Sequence, residues 1–142
     1  MTISAESLAD ARATGARRPD FFIAGQSKSG TTALYEILRD HPQIYMPMVK
    51  EPVFMASDQH AGLWRTVPTR PRTLNEYLAL FDAAEADQLL GEASSVYLWS
   101  RDAAANIAAL QPNARIIAIL REPASFLRSL HLQLLQNHVE TE

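Results

Sequence analysis

The chain contains no cysteine. That excludes disulfides, thiolate metal sites and a cysteine nucleophile, and it leaves the redox compartment open. Long apolar runs are missing as well. Stretches such as Ile116 to Leu120 stop after four or five residues, whereas about 20 are needed to span a bilayer. Excess charge of either sign is also absent: 13 Lys and Arg stand against 16 Asp and Glu, for a net charge of −3. This argues against a broad nucleic-acid surface, so any phosphate site must be a local basic pocket on a mildly acidic protein. The four histidines, His41, His60, His131 and His138, show no metal-ligand spacing.

What is present reads as a globular domain, or part of a larger one, with 142 residues, 47% apolar and 20% charged. Residues 1–18 mix Ala, Ser and Thr with Arg12, Arg17 and Arg18. They lack the continuous apolar core of about 7–15 residues that a signal peptide needs, and Glu6 and Asp10 argue against a transit peptide. The expectation is a flexible polar leader, or a short frayed helix, over 1–18. Order is then expected to begin at Pro19, with residues 19–142 as the domain, and the expected location is cytoplasmic.

Asp20 to Gly25 is a short apolar run ending in glycine, which reads as a buried strand. Ala33, Leu34, Ile37 and Leu38 recur at helical spacing, so a helix starts near Gly30 or Thr31 and ends at His41-Pro42. Residues 42–72, with five prolines, read as a long functional loop region. Thr73 caps a helix running to Phe81. Gln88 to Glu92 is a second strand, Ser100 or Asp102 to Leu110 an Ala-rich helix, and Arg115 to Leu120 a third strand. Pro123 opens a last helix through Leu127, Leu130, Leu134 and Leu135. Alternating strands and helices predict an α/β fold, a parallel β-sheet flanked by helices. Three strands are few for such a sheet, and its first and last strands would leave edges open. The expectation is therefore the N-terminal portion of a larger domain, or a unit completed by a partner.

Gly25-Gln26-Ser27-Lys28-Ser29-Gly30-Thr31-Thr32 lies between the first strand and its helix. Two glycines permit a tight turn and close backbone approach to a ligand. The helix start offers free N–H groups and the positive dipole end, which suit an anion. Lys28 adds a charge, and the threonines add hydroxyls. An ATP-binding P-loop would carry lysine directly after the second glycine, where this chain has Thr31. A plain strand–turn–helix corner with an incidental lysine is the competing reading. Arg121 ends the third strand, and Ser129 follows about 9 Å along the next helix. The two could grip one phosphate, or could be a strand-end arginine beside a surface serine.

Together these segments resemble the nucleotide-dependent sulfotransferases. The resemblance runs through Pro19 to Thr32, His41-Pro42, Met46-Pro47, Lys50-Glu51-Pro52-Val53-Phe54, Gly91 to Leu98, and Leu120-Arg121-Glu122-Pro123 with Ser129. It is strongest to the bacterial and glycan-type branch. It implies a P-loop-NTPase-like sulfotransferase fold, incomplete at the C-terminus. It also implies the donor 3′-phosphoadenosine 5′-phosphosulfate (PAPS), with no metal. Lys28 would then meet the oxygen bridging phosphate and sulfate. Ser29, Gly30, Thr31 and Thr32 would hold the 5′-phosphate, Arg121 and Ser129 the 3′-phosphate, and Glu51 would be the base. The acceptor would be a hydroxyl or amine on a small molecule or glycan. Val53-Phe54-Met55 stands where His-Phe-Phe is common, and His131 where tyrosine is. From the residue alone, the plainer reading of Glu51 is a solvated acid in a proline-bounded loop or a salt-bridge partner.

Two other classes compete with the sulfotransferase reading. A P-loop kinase or NTPase would need a strand ending in an acidic metal residue, where Arg121 stands instead and Glu92 is the nearby alternative. A truncated, non-catalytic nucleotide-binding or interaction module would bind without transfer. Nucleic acid and a membrane span are not expected as partners; a homo-oligomer or a missing C-terminal half is. Met46, Met48 and Met55 read as gap-fillers, and Trp64 and Trp99 as packing rather than an acceptor cleft.

Overall fold

The computed structural model describes residues 3–59 and 70–136. His60, Trp64, Pro68 and His138 lie outside the described residues.

Strand β1, Phe21–Gly25, is buried at all five positions. Its alternation sends Phe21 and Ile23 into one hydrophobic cluster and Phe22 and Ala24 into another. A strand apolar on both faces belongs in the interior of a helix-covered parallel sheet. It lies there, in the order β2 (Ile44–Tyr45), β3 (Leu89–Ala93), β1, β4 (Arg115–Ile119), with every pairing parallel. Two expectations are corrected here. Among the described residues the sheet has four strands, and the first of the predicted strands is an inner one. The missed strand, β2, is two residues long and sits between Pro42 and Pro47, too short to show any alternation. The edges are β2 and β4.

Helix α2, Thr31–Arg39, covers the Phe21–Ile23 face with Leu34, Tyr35 and Leu38. Ile37, read as part of that face, is exposed, and Tyr35 takes the buried place. The Tyr35 hydroxyl donates to the Pro47 carbonyl at 2.7 Å, tying α2 to the chain beyond β2. The opposite face is covered by α3 (Leu74–Ala79), α4 (Ala103–Leu110) and the irregular segment Val53 to Ala56. Thr73 caps α3 as expected, accepting from the Glu76 N–H. Met46 and Met55 fill the core, but Met48 is exposed.

Residues 5–13, within the expected leader, form helix α1 (Ala5–Ala13), capped by Ser4. It is docked. Ala11 is buried, the Ile3 N–H donates to Asn106 Oδ1 at 3.0 Å, and Arg17 donates to the carbonyls of Glu85 and Gln88. These contacts join residues far apart in sequence, so local composition could not reveal them. The last helix, α5 (Pro123–Gln136), has no buried residue, and Ile116, Leu120, Leu127 and Leu132 are exposed on β4 and beyond it. No helix among the described residues is long and apolar enough to cross a membrane.

The register pairs Gly25 with Ile119. A Cβ on Gly25 would sit 2.8 Å from both the Ile119 carbonyl oxygen and the Thr31 methyl. Close approach at the top of β1 therefore requires glycine. Gly25→Ala is expected to lower stability by about 1–3 kcal/mol in urea unfolding, the usual cost of overpacking. A shift below about 0.5 kcal/mol would show that the two strand ends have room.

Candidate functional site

Parallel pairing puts the carboxyl ends of β2, β3, β1 and β4 on one edge of the sheet, and the segments leaving β2, β1 and β4 carry the residues singled out in the sequence. After β1 comes the turn Gln26 to Gly30. Lys28 adopts a left-handed backbone (φ 66°), as does Gly30 (φ 100°). Gly30 is the N-cap of α2 and has no side chain with which to cap it. The first helical bond is Leu34 N–H to the Gly30 carbonyl. The N–H groups of the first turn are thus left to solvent or a ligand. A Cβ on Gly30 would meet nothing within 4 Å, so the space in front of the turn is open. Beside it the Ser29 hydroxyl is buried and has no hydrogen-bond partner among the described residues. A buried hydroxyl without a partner costs about 1–3 kcal/mol; an anion seated on the turn would supply the acceptor.

Helix α5 is built the opposite way. The Glu122 carboxylate accepts from the N–H groups of Ala124 and Ser125 at 2.9 and 2.8 Å. Those backbone bonds hold its pKa below the usual carboxylate range. The first turn of α5 is therefore capped by its own chain, while that of α2 is open.

After β4 comes Arg121, whose Nη1 donates to the Lys28 carbonyl at 2.9 Å. The structure thus joins the two predicted cationic residues directly. Ser129 is half-buried on α5 and has no hydrogen bond to Arg121 among the described residues. Thr31 is buried, with its methyl against Gly25, and Thr32 is exposed.

Glu51 stands at the end of β3. Its N–H donates to the Ala93 carbonyl at 3.0 Å. Its Oε2 accepts from the Ser95 N–H at 2.9 Å and the Ser95 hydroxyl at 3.3 Å, while Oε1 lies 3.5 Å from Lys50 Nζ. Glu51 is thus a held, half-buried carboxylate, and its backbone is left-handed (φ 55°). Glu51 lies on the segment that follows β2, and its bond to Ala93, which pairs with Ile23 of β1, holds it beside the carboxyl end of β3, the strand next to β1.

Sequence reasoning considered Glu92 only as a possible metal residue. It is fully buried, and three hydroxyls donate to it: Ser94 to Oε1 at 2.6 Å, and Tyr97 and Tyr77 to Oε2 at 2.7 and 3.0 Å. Burial pushes its pKa up to about 7; the hydroxyl donors pull it down, and the Glu51 carboxylate adds to the rise. The available signal was a lone glutamate inside an otherwise apolar strand with tyrosines nearby. Among the described residues no group of three or more His, Asp or Glu is placed to hold a metal ion.

A parallel sheet with an open helix corner beside Arg121 at its carboxyl edge is an α/β arrangement that suits an anion. The comparisons narrow this further. The model of the sulfotransferase family matches residues 19–141, and the chain belongs to that family. It is 31% identical over 150 residues to human carbohydrate sulfotransferase 15, covering 80% of this chain and 27% of the relative. It is 32% identical over 107 residues to mouse heparan sulfate glucosamine 3-O-sulfotransferase 3B1, covering 75% and 24%. The crystal structure of a sulfotransferase from Alicyclobacillus acidocaldarius superposes with a TM-score of 0.76 at 31% identity, covering 89% of this chain and 53% of that one. The chain thus spans about a quarter of these two named relatives and about half of the solved structure.

The buried carboxyl gives a pH prediction. Its folded pKa of about 7 lies above the exposed value of 4.5. Between those values the native state holds the proton more tightly than the unfolded chain does. Stability present at acid pH is therefore lost as pH rises through about 7, by ~3 kcal/mol in all. Urea unfolding at about pH 4 and about pH 8 should show wild type losing that much more than Glu92→Gln. Equal pH dependence of the two proteins would contradict the assignment.

Proposed function

We propose that this chain carries the donor-binding part of a sulfotransferase that moves a sulfuryl group from PAPS to a hydroxyl or amine. The observation that carries this reading is the 2.9 Å bond from Arg121 to the Lys28 carbonyl. It brings a guanidinium onto the turn whose open N–H groups and unpartnered Ser29 hydroxyl suit a phosphate.

In this reading the 5′-phosphate sits at Ser29, Gly30, Thr31 and Thr32, and Arg121 faces the 3′-phosphate with Ser129 on the neighbouring helix. Lys28 neutralises charge growing on the leaving phosphate as the sulfur–oxygen bond to the bridging oxygen breaks. Glu51 accepts the proton of the acceptor as its oxygen or nitrogen bonds to sulfur. The work is positioning and electrostatics, as in phosphoryl transfer. The Lys50 ammonium and the Ser95 N–H hold Glu51 in one orientation at the edge where the donor would lie. A glycan is the acceptor class favoured by the relatives named for carbohydrate and heparan sulfate.

The kinase or NTPase reading asks for a strand-end carboxylate free to hold magnesium. In this chain both oxygens of Glu92 are taken by hydroxyls.

Calorimetry distinguishes these readings. Adenosine 3′,5′-bisphosphate should bind without magnesium, and Arg121→Ala should weaken it at least about tenfold, the loss of one charge-assisted contact. ATP binding that requires magnesium and ignores Arg121 would reject the proposal. In a sulfate-transfer assay Glu51→Gln should lower kcat about 100-fold or more with little change in donor KM. Unchanged turnover would remove Glu51 from the mechanism. Bisphosphate binding without transfer by wild type would mark a binding module.

A further inference from the structure

The segment Glu51 to Met55 is unusual for a loop. Pro52, Val53, Phe54 and Met55 are buried, and Glu51 and Val53 both have left-handed backbones (φ 55° and 60°). For a β-branched residue that conformation is strained. Buried backbone N–H groups in such a strap need acceptors. Val53 N–H donates to Ser94 Oγ at 3.0 Å, and Met55 N–H donates to the Tyr97 hydroxyl at 3.2 Å. With the Glu51 N–H on the Ala93 carbonyl and the Ser95 N–H on the Glu51 carboxylate, these form four rungs between the strap and the end of β3.

The two hydroxyl rungs have a polarity. A hydroxyl has a single hydrogen. Ser94 and Tyr97 each accept from a backbone N–H, so each must place its own hydrogen elsewhere. Both place it on Glu92, Ser94 on Oε1 and Tyr97 on Oε2, and Tyr77 from α3 adds a third donor. Ionised, above its pKa of about 7, Glu92 only accepts and offers two oxygens for this purpose. The ionisable groups facing Glu92 are Tyr77 from α3, Tyr97 from the turn after β3 and Glu51 from the strap. Lys50 bonds Glu51.

We propose that Glu92 is the positioning residue for Glu51: by accepting from Ser94 and Tyr97 it orients the two hydroxyls that hold Val53 and Met55, and so fixes the strained strap from which the Glu51 carboxylate projects. Its catalytic consequence rests on Glu51 being the base, as proposed above; its structural part does not.

Amide exchange on the intact chain, read by NMR, tests the structural part. In Glu92→Gln an N–H₂ replaces one acceptor and faces a hydroxyl. Val53 and Met55 should exchange at least about tenfold faster, while Ile23 and Ala24 in β1 stay within about twofold. Unchanged protection at Val53 and Met55 in folded Glu92→Gln overturns the proposal. If that variant does not fold, Ser94→Ala and Tyr97→Phe test the same rungs. Faster exchange at Val53 in the first and Met55 in the second supports the proposal, and no change at either overturns it.

Kinetics test the catalytic part. Glu92→Gln should lower kcat at least about tenfold with donor KM within about threefold. Accelerated exchange at the strap with unchanged kcat overturns the positioning role. A wild-type protein that transfers no sulfate defeats the functional reading, while the exchange result still decides the strap.

Discussion

Burial of β1 on both faces is the constraint on which the remaining geometry depends. Phe22 and Ile23 are completely shielded, and the strand has a parallel partner on either side. A strand so placed cannot slip by one residue without turning Phe21 and Ile23 into the other cluster. The register in turn fixes which residues leave the sheet together. The glycine turn leaves β1, Arg121 leaves β4, and the Ser94–Ser95 turn that holds Glu51 leaves β3. Ligands of open α/β sheets sit beyond such strand ends. The site is therefore a consequence of the packing of one strand rather than of a dedicated scaffold.

Two kinds of polar economy distinguish the elements at that edge. The α2 corner is left open, with a glycine N-cap that has no capping side chain and a buried serine hydroxyl without a partner among the described residues. In the strap beside it the Val53 and Met55 N–H groups are committed to Ser94 and Tyr97, and those hydroxyls to Glu92. The first arrangement suits a ligand that brings its own acceptors. The second suits a side chain that must be held still. The raised pKa of Glu92 is the electrostatic cost of the second, a carboxyl buried for the sake of hydroxyl orientation.

Much of this was legible in the sequence because local signals agreed with one another. The apolar run ending at Gly25, the helix start at Thr31, the Thr73 cap and the Pro123 helix start all lie where their residue types place them. The glycine turn and Arg121 were visible as residues at the ends of two predicted strands of a parallel sheet. What could not be read was set by distant partners. Strand β2 exists because two residues find β3, not because they alternate. Helix α1 is docked through Asn106 and the carbonyls of Glu85 and Gln88, far along the chain. Tyr35 displaces Ile37 from the buried face because its hydroxyl reaches the Pro47 carbonyl. Glu92 read only as a possible metal residue because the hydroxyls that occupy it, Tyr77 of α3 among them, are brought to it by the fold.

A crystal structure of this chain with adenosine 3′,5′-bisphosphate tests the central claim most directly. One nucleotide should span the sheet edge, its 5′-phosphate on the N–H groups of Gly30 to Thr32 beside Lys28 and its 3′-phosphate on the Arg121 guanidinium. A nucleotide seated elsewhere, or one whose two phosphates avoid that turn and that arginine, would contradict it.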